Sequence, residues 1–296
     1  MPMLKLGTFA VLLSCAAAVA PQQPPQTSNP SSSAVSTLRI SARAKQGPVE
    51  LTAADIEVKE DGKPVRIQQV GKLDQPRVHY CVLLDVSNSE RDQFKLQQEI
   101  VIRLVRQVVR PKTDRGWVNL FSVVSIQSEE TDDTDTAARA IAAAKAGGGT
   151  ALYDAIEQSV RRMNQGPADS GLRTIFLFSD GDDNQSHITH EQATEMAAVV
   201  GVRIYAIGPD DSHHAHGSAI LKKIAEGTGG EFFPESRLSS VDKIASQINS
   251  DLRNQFAVAY ETESGKLDNR PRKIEVKCSK KGTTILAPRW VNPPQL

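Results

Sequence analysis

The chain has 296 residues, with 35 Lys+Arg against 35 Asp+Glu and no formal net charge, so its length permits one large or two modest domains, and no basic footprint for nucleic acid is expected. Apolar residues make up 39% and charged ones 24%, a balance that allows a real core and excludes wholesale disorder. Cys15, Cys81 and Cys278 are the three cysteines, too few for a disulfide scaffold or a four-thiolate zinc cage.

In chain order, Lys5 precedes an uncharged run from Leu6 to Ala20. The run falls short of the roughly 20 residues that a transmembrane helix needs and suits the apolar part of an export signal. Residues 1–20 are therefore expected to be a signal peptide, and the product to be periplasmic or secreted. Ala16–Ala18 offer a cleavage site, while Leu12-Leu13-Ser14-Cys15 resembles a lipoprotein box that would leave a lipid anchor on Cys15; both outcomes stay open. Residues 21–34, rich in Pro, Gln and Ser, read as a flexible tether that cannot bury enough apolar area to offset its ordering entropy.

From Val35 the chain alternates apolar and polar residues. Leu38, Ile40 and Ala42, then Ile56 and Val58, then Val65 and Ile67 mark half-buried strands, with a hairpin turn at Asp61-Gly62. Residues 35–76 are thus an N-terminal β segment. At Val78 the period changes to a near-continuous apolar run through Leu84, as in a strand covered on both faces. A helix from about Gln93 follows, then a strand over Trp117–Val124, an Ala-rich helix to Ala146, and a helix opening near Thr150. Strand Thr174–Phe178, a helix from Thr189, strand Val202–Ile207, helix Ser218–Glu226, a short strand at Glu231–Phe233 and helix Val241–Arg253 continue the alternation. Such a pattern predicts a three-layer, doubly wound α/β domain over residues 77–253, with a mostly parallel sheet. Residues 254–296 return to β patterning, and the simplest arrangement pairs them with 35–76 in one accessory unit.

Parallel sheets bind ligands at the carboxyl ends of their strands. Three such ends carry oxygen donors: Asp85, Ser87 and Ser89 after the first strand, Thr150 after Gly147–Gly149, and Asp180 after Phe178. Two carboxylates and three hydroxyls, without His or Cys, suit Mg²⁺, with Mn²⁺ or Ca²⁺ as substitutes, rather than zinc. Each piece alone has an ordinary reading as a turn residue or helix cap; Thr150 in particular reads equally as an N-cap. Asp182, Asp183 and Asn184 read as a solvated loop or as second-ion or orienting groups, and Glu129–Asp135 as a hydrated loop and helix start. His213, His214 and His216 read as an exposed loop rather than a metal clamp. Cys81 reads as a small buried apolar residue, with a disulfide to Cys278 as the alternative.

Asp85-x-Ser87-x-Ser89, Thr150 and Asp180 resemble the metal-ion-dependent adhesion site of the von Willebrand factor type A domain, in order and in position at the strand ends. The resemblance covers roughly Arg77 to Arg253, and Gly148–Ile156 is similar to bacterial members. Leu51–Val58, Glu60–Pro64 and Arg272–Val276 resemble more narrowly the related domain described from acidobacterial proteins. What the resemblance implies is a binding module, not an enzyme: the five residues hold the ion, and a Glu or Asp of a protein partner completes its shell. A Mg²⁺-dependent phosphohydrolase is the alternative. Against it, the chain has no phosphate-binding Gly-Lys-Ser/Thr loop, no second aspartate two residues beyond Asp85 and no Gly-x-Ser-x-Gly elbow.

Overall fold

The computed structural model describes residues 35–45, 47–88, 94–166, 171–209, 213–234, 238–262 and 270–292. The expected signal peptide, tether and Cys15, and also Ser89, lie outside the described residues.

β1 (Val35–Ala44), β2 (Ile56–Glu60), β3 (Lys63–Pro64) and β4 (Ile67–Lys72) precede the α/β layer. That layer holds β5 (Val78–Asp85), α1 (Phe94–Val108), β6 (Arg115–Phe121), β7 (Ser125–Gln127), α2 (Thr134–Ala142), α3 (Leu152–Gln165) and β8 (Leu172–Phe178). It continues through α4 (His190–Val199), β9 (Val202–Gly208), α5 (Ala215–Gly227), β10 (Phe232–Pro234) and α6 (Val241–Arg253). β11 (Gln255–Glu261), β12 (Arg272–Cys278), β13 (Thr283–Leu286) and β14 (Trp290–Val291) close the chain.

The central sheet runs β10-β9-β8-β5-β6-β7, parallel throughout except at the β7 edge. Every residue of β5 is buried, because successive side chains point to opposite faces and both faces are covered. Tyr80, Val82 and Leu84 pack with α1, α2 and α6. Cys81 and Leu83 pack with α3, α4 and α5. The three-layer α/β class expected from the alternation is what the chain forms.

Two boundaries differ from the pattern, each for a physical reason. The strand expected over Trp117–Val124 ends at Phe121, where the chain turns back so that Phe121 pairs with Ser125 in a tight antiparallel hairpin. Val123, Val124 and Ile126 are consequently exposed, by 52%, 69% and 68%. The Ala-rich helix ends at Ala142, not Ala146, where the Gln98 side-chain amide of α1 donates to the Ile141 and Ala144 carbonyls at 2.6 and 3.3 Å in place of the next helical N–H groups.

The flanking segments form two antiparallel sheets, β13-β1-β11-β4 and β14-β12-β2-β3, whose facing residues share one core that includes Ile40, Val58, Val258 and Ile274. β1 lies between two strands from the other end of the chain, with Leu38 opposite Val258 and Ala42 opposite Ile285. Cys81 and Cys278 are free thiols, so no disulfide joins them.

Candidate metal centre

Asp85 ends β5 and is fully buried; Ser87, Thr150 and Asp180 are 1%, 3% and 2% exposed. The β5–α1 loop tightens at once, because the Ser87 N–H donates to Asp85 Oδ1 at 2.9 Å. Ser179, the last residue before Asp180, ties the two strand ends together by donating its hydroxyl to Asp85 Oδ2 at 2.7 Å and accepting the Gly181 N–H at 3.0 Å. Asp180 steadies its own turn by accepting the Asp182 N–H at 3.0 Å. Gly181 takes φ +84°, and the turn packs on α5 so closely that a Cβ at Gly217 would meet the Asp180 carbonyl oxygen at 2.1 Å.

Thr150 is fixed from the loop after Asp180. Its N–H donates to Asn184 Oδ1 at 3.0 Å, and its carbonyl accepts the N–H groups of Asn184 and Gln185, both at 3.0 Å. Thr150 is not the N-cap of α3. Ala151 holds that position without a capping side chain, and the helix's unsatisfied N–H groups are met from the same remote loop. Asp183 Oδ2 accepts from Leu152 N at 2.7 Å, and Ser186 Oγ accepts from Tyr153 N and Asp154 N at 3.0 and 3.1 Å. The Gly147–Thr150 loop is also joined to the first, through Gly147 N–H to the Val86 carbonyl at 2.6 Å and Asn88 N–H to the Gly148 carbonyl at 3.0 Å.

Asp85, Ser87, Thr150 and Asp180 thus sit on three neighbouring loops at one pole of the sheet. Burial, aided by the like charge of Asp180, pushes the Asp85 carboxyl up to about 6 against the pull of the Ser179 and Ser87 hydrogen bonds. Among the described residues, no Lys, Arg or His lies at ion-pair distance from either carboxylate. Two buried carboxylates on loops that also carry the Ser87 and Thr150 hydroxyls, without a cationic side chain among the described residues, make a donor set that fits a hard divalent cation. Three or more His, Cys, Asp or Glu gathered around one ion occur nowhere among the described residues, so any ion here relies on hydroxyl and water oxygens besides the two carboxylates.

A match to the von Willebrand factor type A domain covers residues 81–247. The chain belongs to the von Willebrand factor type A domain family. Among solved structures, the von Willebrand A chain is similar to proximal thread matrix protein 1 from the mussel byssus, determined with zinc in its metal-ion-dependent adhesion motif: 20% identity over 65% of this chain and 50% of that one, with a TM-score of 0.51. BatB of Bacteroides thetaiotaomicron aligns at 20% identity over 59% of this chain and 98% of its own, with a TM-score of 0.49. A curated relative, calcium-activated chloride channel regulator 1 of Bos taurus, is 23% identical over 220 residues. The match covers 72% of this chain and 22% of that protein, so the von Willebrand A chain spans about a fifth of the relative's length.

The other sequence candidates fall elsewhere. Glu130 bonds His79 at 3.2 Å and Arg115 at 3.0 Å, while Asp133 caps α2 through the Asp135 and Thr136 N–H groups; the acidic run is a loop and helix start. His214 precedes α5. Ser179, Gly217 and Ser186 are the site residues that motif reading missed. Ser179 carries a signal, since a hydroxyl immediately before the last aspartate is placed to bridge two strand ends, whereas Gly217 and Ser186 act through contacts no local pattern encodes.

Proposed function

We propose that the chain is an exported, metal-dependent protein-binding module. Asp85, Ser87, Ser89, Thr150 and Asp180 hold Mg²⁺, with Mn²⁺ or Ca²⁺ able to substitute, and a Glu or Asp side chain of a partner protein completes the ion's shell. Residues 77–253 are the binding domain, 35–76 and 254–296 the accessory unit, and 1–20 the export signal.

The observation that supports this most is the pair of buried carboxylates at adjacent strand ends, on loops that also carry the Ser87 and Thr150 hydroxyls and without a basic side chain among the described residues. A bound divalent ion supplies the missing positive charge and attracts an incoming carboxylate. The exposed Val123, Val124 and Ile126 follow the end of β6 beside the Gly147–Thr150 loop, with Val123 Cγ2 only 3.3 Å from where a Gly149 Cβ would stand. An acidic side chain flanked by apolar ones is the partner chemistry that fits both features. Export rests on the N-terminal sequence pattern; among the described residues no helix is long and apolar enough to cross a membrane.

Calorimetric titration of Mg²⁺, Mn²⁺ and Ca²⁺ into the metal-stripped chain tests the reading. Saturation near one ion per chain, abolished in Asp85→Ala/Asp180→Ala, is the expected result. An intact chain that binds none of the three ions sinks the mechanism.

A further inference from the structure

At the pole of the sheet opposite Asp85 and Asp180, the amino ends of β8 and β9 face the accessory strands across a cavity of about 450 Å³. Arg39 of β1, Arg173 of β8 and Arg203 of β9 all line it. Among the described residues, none of the three lies within ion-pair distance of a carboxylate. Their charges are felt mutually: partial desolvation, followed by the like charges of Arg173 and Arg203, holds the Arg39 guanidinium below its ordinary range. The acid that acts on Arg203 is Asp251 of α6, which is already engaged by Arg43, its Oδ1 2.6 Å from Arg43 Nε.

Two further groups point to a ligand. Thr174 and Gln255, residues 1% and 0% exposed, line the same cavity, and among the described residues neither Thr174 Oγ1 nor Gln255 Oε1 has a hydrogen-bond partner. Buried polar atoms are normally satisfied, and leaving one unmade costs about 1–3 kcal/mol. The hydroxyl is both donor and acceptor, so it can donate to an anion. Gln255 Nε2 is already committed to the Asp251 carbonyl at 2.6 Å, which leaves its free oxygen for a hydroxyl or N–H of the same ligand. Leu172, Val200, Leu252 and Val291 supply apolar wall.

We propose that this cavity is a second binding site, for a small organic anion bearing clustered oxyanion groups, held by Arg39, Arg173 and Arg203 with Thr174 and Gln255 fixing its orientation. Planar guanidinium forks match phosphate and carboxylate oxygens in pairs, and the volume accommodates a molecule of metabolite size. Such a ligand bridges β1 and β11 of the accessory unit to β8 and β9 of the binding domain. The site is independent of the metal centre, which lies at the other end of the same strands.

Pyrophosphate and citrate are the probes, each titrated by calorimetry into the full chain at 150 mM NaCl in the presence of chelator. One-to-one saturable binding of either is expected; preference for pyrophosphate assigns phosphate chemistry to the site, and preference for citrate assigns carboxylate chemistry. Arg173→Gln and Arg39→Gln should each weaken it at least tenfold, whereas Arg161→Gln, on the exposed face of α3, should leave it unchanged. Circular dichroism melts of the unliganded variants distinguish a lost ligand contact from a lost fold. No saturable binding of either probe, or parental binding by folded Arg39→Gln and Arg173→Gln, overturns the proposal.

Discussion

Gly217→Ala isolates the role of a backbone contact in shaping the metal centre. Gly217 lies in the first turn of α5, and a Cβ there would stand 2.1 Å from the Asp180 carbonyl oxygen and 3.0 Å from the Gly181 carbonyl carbon. An ordinary carbon–oxygen contact is about 3.3 Å or more, so the Asp180–Gly181 turn or the helix must retreat by roughly 1 Å. Binding constellations tolerate about 0.5 Å before they lose function. Two energies oppose each other. Alanine gains about 1 kcal/mol over glycine as a helix former, and forced overpacking costs about 1–3 kcal/mol, so stability should fall by about 1 kcal/mol. At 2–4 °C per kcal/mol for a domain of this size, Tm should drop by a few degrees. Affinity for Mn²⁺, measured by calorimetry, should fall at least tenfold. Gly147→Ala, in the neighbouring loop but with nothing within 4 Å of its added Cβ, serves as the control and should change neither quantity. A Gly217→Ala chain that melts at or above the parent and binds Mn²⁺ with parental affinity would refute the reasoning.

The other predictions concern capping, protonation and thiol chemistry. Asp183→Ala uncovers the Leu152 N–H at the start of α3 and should cost about 1–2 kcal/mol in urea denaturation, with Asp183→Asn recovering much of it; an unchanged midpoint would show that the cap contributes nothing. Burial pushes Asp251 up to about 7 despite Arg43 Nε at 2.6 Å from its Oδ1, so the folded chain holds this proton more tightly than the unfolded one. Its contribution to stability is therefore full below about pH 4 and lost as pH rises through about 7, amounting to at most about 4 kcal/mol. Asp251→Asn should flatten that part of the stability profile, and a profile identical to the parent's would contradict the assignment. Cys81, fully buried with its thiol pushed up to about 12 by desolvation, should resist iodoacetamide at pH 8 while partly exposed Cys278 reacts. Peptide mass spectrometry showing equal labelling of both would count against the packing described.

Much of the α/β layer was legible in the sequence, because its determinants are local and periodic. The unbroken apolar run of β5 needs cover on both faces, and the stripe Ile100, Val101, Leu104, Val105 and Val108 admits only a helix with one buried side. The β6–β7 hairpin escaped because Val123 and Val124 look like strand interior while the chain puts them in solvent. At the metal centre, the oxygen donors announce themselves by residue type at the strand ends. What orients them does not: α3 is capped by Asp183 and Ser186 from a loop some 30 positions later, and Gly217 matters only for the atom its side chain lacks. Thr150 looked like a cap because hydroxyls commonly serve as one; the role passed to residues whose proximity only the tertiary fold creates.

The placement of β1 between β11 and β13 has a consequence for how the protein is made. Val35 pairs with Glu261 and Ser41 with Leu286, so more than 200 residues must be synthesised before the first strand finds either neighbour. The intervening α/β layer contains its own parallel sheet and cores and can collapse while β1 waits. Closing so long a loop costs little more entropy than closing a shorter one, since the penalty grows only logarithmically. The delay, however, leaves both edges of an apolar strand open to intermolecular pairing. Molecules truncated before Gln255 would carry that open strand permanently, which makes premature termination, rather than point substitution in the α/β layer, the defect most prone to drive this chain into aggregates.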